Sequence, residues 1–318
     1  MKKVNTILAA LATAAALVAA PALFAENTTS ASSAEAASDN YTTKDYNFQG
    51  FTKLDIGGRF DVILTKSSNY SVKITVPADA ENLIAVRVEE GTLKIGWNRN
   101  FTERWQKKFD DDMKFTAEIS MPVLKELEMA GATTFESDDK FTLENDEFSL
   151  DISGASRVKS LKINARELDA EVSGASHCDL YGSFSRAEIE VSGAGTASFE
   201  ITADDLDVDV SGAATCDVEG EFGNVIADVS GASTVNLTGS ADRLSADVSA
   251  ASKLRAKSLE AKDVTVEATG ASHCTVNATR SMTVEDASGA SSIKYKAPKS
   301  LSATINSISR SSSVQRID

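Results

Sequence analysis

The chain has 318 residues, with 47 acidic side chains against 32 lysines and arginines and a formal net charge of −15. This acidic excess excludes a free-standing nucleic-acid binder, because such proteins present basic surfaces to phosphate. Aromatic residues make up only 6% and proline occurs four times, so we do not expect a core built from large side chains. The many Ala, Ser and Gly residues are typical of a repetitive stack of small units.

The N-terminus has the pattern of an export signal. Two lysines precede an apolar run from Ile7 to Val18, and small residues follow as far as Ala25. The run is shorter than the roughly 20 residues of a membrane-spanning helix. We therefore expect a cleaved signal peptide over residues 1–25, no transmembrane segment in the mature chain, and a location in the periplasm, at the outer membrane or outside the cell.

Three further regions follow the predicted signal. Residues 26–44 are rich in Ser, Thr, Ala and Asn and predict a disordered linker, since they hold too little apolar surface to offset the entropy of ordering. Residues 45–125 predict an N-terminal β region with an irregular capping loop. Residues 126–318 predict the repeats of a β-helix and a C-terminal cap.

A Gly-Ala pair recurs through residues 126–318 at a nearly constant interval. The spacing is 23 residues once and then 19 or 20 residues, which matches one turn of a β-solenoid. The glycines of these pairs are Gly131, Gly154, Gly174, Gly193, Gly212, Gly231, Gly270 and Gly289. Ala250 fills the one missing position, and we expect that this corner does not need a positive φ.

Apolar residues alternate with polar ones on both sides of each glycine, as expected of strands that bury one face. Residues two before the glycine and four after it form apolar columns. The pattern predicts an all-β fold, a single-stranded parallel β-helix with coils of about 19 residues. The general preference of parallel crossovers predicts right-handed winding.

The N-terminal half also carries motifs of a known family. These are Phe51-Thr-Lys-Leu-Asp-Ile-Gly-Gly-Arg-Phe-Asp-Val-Ile-Leu, then Leu93-Lys-Ile, then Ile119-Ser-Met-Pro-Val-Leu-Lys-Glu-Leu-Glu-Met-Ala-Gly-Ala, followed by the Ser-Gly-Ala-Ser repeats. From Tyr46 to Tyr295 the chain resembles the putative auto-transporter adhesin family with a head GIN domain. The resemblance implies an exported parallel β-helix of Bacteroidetes-type bacteria, and it supplies no catalytic residues.

An acidic residue stands three positions before every corner. Parallel coils would stack these side chains about 4.8 Å apart, where like charges repel. One hypothesis is a surface that binds calcium through hard oxygen ligands; the alternative is a solvated face that prevents sheet association. The residues of the calcium hypothesis are Asp151, Glu171, Glu190, Asp209, Asp228 and Asp247. We predict no other cofactor.

The three cysteines occupy the same position of the repeat, and this position points toward the core. Cys178 and Cys216, the nearest pair, are two coils apart, or about 10 Å, which exceeds the reach of a disulfide. We therefore predict buried, unpaired thiols. His177 and His273 point outward and lie five coils apart, so we expect no zinc site.

One segment breaks the regularity. Residues 96–112 hold both tryptophans and several charged side chains, and irregular loops on rigid scaffolds often carry binding sites. Trp97, Arg99, Arg104 and Trp105 are therefore candidate ligand-binding residues, with the tryptophans available to stack on sugar rings or anchor a protein. The alternative is an end cap whose aromatic side chains cover the first coil.

These observations predict an exported, non-enzymatic binding protein or adhesin, with a cell-surface glycan or protein as its partner. One alternative is a carbohydrate-active β-helix enzyme such as a calcium-dependent polysaccharide lyase. Another is a self-associating scaffold, because residues 126–252 hold 26 acids and 7 bases whereas residues 253–318 hold 6 acids and 10 bases. Near-constant coil lengths disfavour the enzyme, since a catalytic cleft needs long loops.

Overall fold

The computed structural model describes residues 40–102, 109 and 113–318. The predicted signal peptide and most of the predicted linker lie outside these residues. The strands are β1 (Tyr41–Tyr46), β2 (Lys53–Gly58), β3 (Asp61–Lys66), β4 (Ser71–Pro77), β5 (Ile84–Glu89), β6 (Thr92–Trp97), β7 (Thr116–Met121), β8 (Glu126–Gly131), β9 (Thr134–Thr142), β10 (Glu147–Ile152), β11 (Arg157–Asn164), β12 (Glu167–Val172), β13 (His177–Val191), β14 (Thr196–Val210), β15 (Thr215–Val229), β16 (Thr234–Val248), β17 (Lys253–Ala268), β18 (His273–Ala287), β19 (Ser292–Lys296), β20 (Thr304–Ile305) and β21 (Ser313–Ile317). One 3-10 helix covers Ala78–Leu83.

The predicted parallel β-solenoid is confirmed, with about ten turns at a spacing near 19 residues. β13 pairs with β14, β14 with β15 and β15 with β16, always in parallel and always in the same register. Equal positions of successive coils therefore stack into straight columns.

The side chains that point inward form one continuous core. In β14 the buried residues alternate with exposed ones through most of the strand, because successive side chains of a strand point to opposite faces. The expected lack of large core side chains is wrong for the first coils. Seven phenylalanines are among the largest fully buried side chains, and six of them precede residue 150.

The stack begins well before Glu126, where the repeat pattern starts. β2 lies between β6 and β8, parallel to both, and β3 lies between β7 and β9 in the same way. The chain therefore enters the stack with β2 and β3. It then adds the end coil, formed by β6 and β7, on one side of them. The next coil, formed by β8 and β9, is added on the other side. The sequence repeat missed these coils because their corners lack the Ser-Gly-Ala-Ser string.

Antiparallel strands close the N-terminal end of the tube. β4 pairs with β7 and β1 pairs with β4, while β5 pairs with β6 through a two-residue turn at Glu90 and Gly91. Both turn residues have positive φ, as a type I′ hairpin requires. The predicted linker extends too far, because β1 begins at Tyr41 and hydrogen-bonds to β4.

The C-terminal segment continues the stack beyond the last Gly-Ala pair. β21 pairs in parallel with β19, and the Ser311 hydroxyl donates a hydrogen bond to the carbonyl of Gly289 at the corner below. The predicted cap is therefore partly another coil.

The corners require residues without side chains. Gly193 has φ of +70°, and a Cβ placed on it would lie 2.7 Å from the carbonyl oxygen of Gly174 in the coil below. The amide of Ala194 donates to that same oxygen over 2.8 Å. The expectation for Ala250 is wrong, because this alanine adopts φ of 58°. At this corner the stacked neighbours impose on alanine the backbone that glycine adopts in the adjacent coils.

The fourth residue of the corner string stabilises the corner from the core side. The buried Ser252 hydroxyl donates to the carbonyl of Ser249 over 2.5 Å and to that of Val229 over 2.8 Å. The hydroxyl therefore ties the corner to the coil below, which explains why the string ends in serine rather than in a larger apolar residue.

All three cysteines are buried and unpaired, as predicted. Burial raises the pKa of each thiol, to about 12 for Cys274. The reactive thiolate is therefore scarce at neutral pH.

Replacing Gly193 with alanine should destabilise the protein by about 2 kcal/mol, because the left-handed backbone and the contact with Gly174 both oppose a Cβ. The midpoint of urea unfolding measures this. Ala194→Ser, at the exposed neighbouring position, is the control and should leave the midpoint nearly unchanged. Equal midpoints for Gly193→Ala and the wild type would contradict the account of the corner.

Candidate functional site

The corner of the first two coils differs from all later ones. Trp97 ends β6 at the position that Gly58 holds in the coil above it and Gly131 holds in the next coil, as the registers of β2 with β6 and β8 show. The indole lies against Gly58, where an added Cβ would be 3.0 Å from Nε1. The absence of a side chain on Gly58 therefore makes room for the ring.

Large residues also replace the small ones at the remaining corner positions. Asp61 pairs with Thr116. Two residues before them in the chain, Arg59 and Lys114 therefore occupy the corner position that holds alanine in later coils. Phe60 and Phe115 stand where later coils have the buried serine, and their rings meet at 5.9 Å. The segment from Asn98 to Phe115 replaces a four-residue turn.

Four aromatic rings gather at this corner, and we call them the aromatic corner: Trp97, Phe101, Phe109 and Phe115. Trp97 stacks on Phe101 with centroids 3.9 Å apart and lies parallel to Phe109 at 6.3 Å. Phe115 meets both Trp97 and Phe109 edge to face, at 5.3 and 5.6 Å. Offset and edge-to-face pairs of this kind stabilise beyond the area they bury.

Arg59 links the aromatic corner to the tube. Its guanidinium lies 5.6 Å from the centre of the Phe115 ring, a cation–π distance. Nη1 also donates to the carbonyl of Phe109 over 3.4 Å. The side chain therefore holds the long segment against the first coil.

The aromatic corner borders an open cavity of about 950 Å³, a volume in the range of small-molecule sites. The four rings and Met113 supply its apolar surface. Arg59, Asp61 and Lys114 supply charge, and Gly131 and Ala132 also line it. A lining that is both apolar and polar suits a ligand that has a flat face and polar substituents.

The structure places the predicted ligand-binding residues unequally. Trp97 is half-buried and lines the cavity, whereas Arg99 is exposed and does not line it. Arg104 and Trp105 lie outside the described residues. The end-cap alternative also has support, because Trp97 covers Gly58 of the adjacent coil.

Sequence reasoning missed seven cavity residues: Arg59, Asp61, Phe101, Phe109, Met113, Lys114 and Phe115. A signal for part of this was present, since Leu54-Asp-Ile-Gly-Gly and Leu93-Lys-Ile-Gly-Trp are copies of one strand and corner. Aligning them would have stacked Trp97 on Gly58.

The residues before the corners form an unbroken acidic column. Parallel register places each directly above the previous one. The acidic column consists of Asp55, Glu128, Asp151, Glu171, Glu190, Asp209, Asp228, Asp247, Glu267 and Asp286. At its N-terminal end the Lys94 amine lies 2.9 Å from a carboxylate oxygen of Asp55, so one cation terminates the column.

Burial raises the pKa of four column members, Glu128, Asp151, Glu190 and Asp228, above the ordinary carboxyl range. Neighbouring carboxylates raise the pKa further for all of these except Asp151. At the other end, hydrogen bonds from Ser307 and Ser288 lower the pKa of Asp286. Burial and neighbouring carboxylates therefore both oppose ionisation of Glu190 and Asp228 in the middle of the column.

Within the described residues, no group of three or more His, Cys, Asp or Glu side chains is arranged to hold a metal ion. His177 instead lies beside Asp179, with Nε2 and Oδ2 3.2 Å apart. The six predicted calcium ligands stack in the column, one in each coil.

The fold and the site together define a β-solenoid that carries an aromatic cavity at its N-terminal end. The chain belongs to the family described as putative auto-transporter adhesin, head GIN domain, whose model matches residues 50–219 and 197–298. The resemblance noted in the sequence is thereby confirmed. Membership indicates an adhesin-like binding protein of the cell-surface or exported class.

Solved structures of similar proteins include three from Parabacteroides species. A putative adhesin from Parabacteroides merdae is 17% identical, with 88% of this chain and 98% of that chain covered and a TM-score of 0.46. A putative adhesin from Parabacteroides distasonis is 16% identical with the same coverage and a TM-score of 0.48. A putative lipid binding protein from the same species is 17% identical, again with that coverage, at 0.39. No curated protein matches the chain.

Across the described residues we find no helix with the length and apolar character needed to cross a bilayer.

Replacing Glu190 with glutamine should raise the melting temperature at pH 7 by about 2 °C at low salt, because it removes one charge from the acidic column. A raised carboxyl pKa in the folded state favours folding at low pH, and this contribution is lost as pH rises through that pKa. The gain should therefore be smaller at pH 4 than at pH 7, because protonation of the wild-type carboxyl removes the same charge that glutamine removes. Thermal unfolding at the two pH values measures it.

Glu200→Gln, outside the acidic column, is the matched control. A gain that is the same at both pH values, or as large in the control, would show that repulsion within the column is not its cause.

Proposed function

We propose that the protein is an exported, non-enzymatic binding protein that holds a glycan in the cavity at the aromatic corner. The main observation is the clustering of four aromatic rings around one cavity at the end of a tube whose other faces are largely polar. Sugar rings present apolar C–H faces to aromatic side chains and hydroxyl groups to charged ones. Arg59, Asp61 and Lys114 at the same cavity supply such partners.

The geometry limits how the rings can take part. Phe101 covers one face of Trp97 at 3.9 Å, so a sugar would contact the remaining exposed parts of the cluster rather than lie between these two rings. Phe109 and Phe115 are buried and line the cavity. Trp97 and Phe101, both half-buried, provide the accessible aromatic surface.

Regular corners support a binding role over catalysis. The turn between β13 and β14, from Ser192 to Gly195, has four residues. The equivalent turns after β14, β15 and β16 also have four residues each. Such turns leave little chain for a cleft around the acidic column. Appearance of unsaturated products from an acidic polysaccharide incubated with the protein and calcium would favour the lyase instead.

Trp97→Ala should weaken the binding of a glycan identified on an array by at least about tenfold, because aromatic anchors contribute 1–3 kcal/mol. Titration calorimetry on purified protein gives the affinity. Tyr181→Ala, which removes another exposed aromatic side chain on a distant coil, is the matched control and should bind normally. Trp97→Phe, which keeps a ring, should retain most of the affinity.

Circular dichroism would verify that Trp97→Ala folds. Unchanged affinity in a folded Trp97→Ala protein would place the glycan elsewhere. A protein that binds no glycan on the array would overturn the ligand class.

Calcium binding by the acidic column stays a prediction. The support for it is the register that brings one carboxylate per coil into line. Millimolar calcium should raise the melting temperature, since binding to the folded state stabilises it. The rise should exceed that from sodium chloride of equal ionic strength, and Asp209→Asn with Asp228→Asn should reduce it. An identical response to both salts would leave a solvated acidic face.

A further inference from the structure

The apolar core is covered at the N-terminal end of the tube and partly open at the C-terminal end. Parallel register places Ile305 of β20 beside Val284 of β18, in a column that is buried in the earlier coils. Ile305 and Ile308 are nevertheless 44% and 50% exposed. In the end coil at the other end, Leu93 and Ile95 are only 0% and 2% exposed. The C-terminal end therefore presents apolar surface of the kind that the N-terminal strands cover.

The last strand also has an open edge. β21 pairs with β19 on one side, and within the described residues no strand pairs with its other side. Arg316 blunts part of this edge, because its guanidinium donates hydrogen bonds to the carbonyls of Ala297 and Leu301 over 2.6 and 3.4 Å. Charged residues of this kind limit pairing at a sheet edge, but the rest of β21 can still hydrogen-bond to a further strand.

β1 ends the same ladder at the opposite end of the tube. β1 pairs with β4 and β4 with β7, both antiparallel, so β1 runs in the same direction as β7 and as the parallel strands stacked on it. Among the described strands β1 pairs with β4 alone, which leaves its second edge open. Parallel addition of β21 from one molecule to β1 of another therefore continues the ladder in its existing direction.

The two ends of the tube carry opposite charge. We call residues 289–318 the basic end, because they hold five bases and one acid, and residues 77–91 the acidic cap, because they hold four acids and one base. The bases of the basic end are Lys294, Lys296, Lys299, Arg310 and Arg316, and the acids of the acidic cap are Asp79, Glu81, Glu89 and Glu90.

These charges lie beside the two open edges. The acidic cap includes the 3-10 helix, which packs against β1, and burial together with the nearby Glu81 carboxylate raises the pKa of Tyr46 in β1. Lys294 and Lys296 lie on β19, the strand that pairs with β21. Each open edge is therefore flanked by the charge that attracts the other.

We propose that the protein associates head to tail, with β21 and the basic end of one molecule docked on β1 and the acidic cap of a second copy. Burial of Ile305 and Ile308 in this contact removes their apolar surface from water. Contact between two like ends is disfavoured, because it brings bases against bases or acids against acids. Since the two surfaces differ and lie at opposite ends of the tube, the contact repeats from copy to copy and builds chains.

Sedimentation velocity of the purified protein tests the proposal. At low salt the mean mass should rise with protein concentration, and high salt should reverse the rise because it screens the attraction. Glu81→Lys with Glu89→Lys, the head variant, should weaken association by at least about tenfold, because like charges then face each other. Lys294→Glu with Lys296→Glu, the tail variant, should do the same. An equimolar mixture of the two variants should associate again, since each supplies the end that the other can bind.

Asp217→Lys with Glu219→Lys is the matched control, because it makes the same change of charge at two exposed acids of the central strand β15. It should associate like the wild type, and circular dichroism should show that every variant is folded. A wild-type protein that stays monomeric at low salt at all concentrations would overturn the proposal. So would a folded head variant that associates like the wild type, since the basic end would then bind another surface.

Discussion

The close approach of successive corners is the constraint on which the rest of the structure depends. Each corner glycine faces the carbonyl oxygen of the one below, and the alanine amide beside it donates to that oxygen over 2.7–2.9 Å. No Cβ fits between them without a shift. Because every coil must return to this point, the corner fixes the register of the strands on both sides and hence the columns of the whole tube.

The fixed register stacks equivalent residues of successive coils, whether their charges attract or repel each other. The acidic column collects carboxylates with a single lysine at one end. A second column on the same side mixes charges: the Asn224 amide donates to Asp205 over 2.6 Å and Arg243 donates to Asn224 over 2.6 Å. The two columns differ by four positions in the repeat, yet one is internally paired and the other repels itself.

The first two coils fill the same corner positions with other residues. Trp97 takes the place of the glycine, Arg59 and Lys114 that of the alanine, and phenylalanines that of the serine. Because none of the described residues forms a further coil below this corner, large side chains can occupy positions in the end coil that are closed elsewhere. The aromatic corner therefore arises at the N-terminal end of the tube, where the constraint is released.

The sequence by itself determined the parallel solenoid, its period, the buried cysteines and the acidic column, because a repeated pattern states the same local preference many times. It also singled out Trp97 as an unusual residue. Only the tertiary structure decided that the chain enters the stack at β2 and builds the end coil later, since that order depends on which strands pair. It also decided that Arg59, Phe109 and Phe115, which are up to 56 residues apart in the chain, meet at one cavity, and that Ala250 must adopt the backbone of a glycine. Local preference opposes that conformation, and the stacked neighbours impose it.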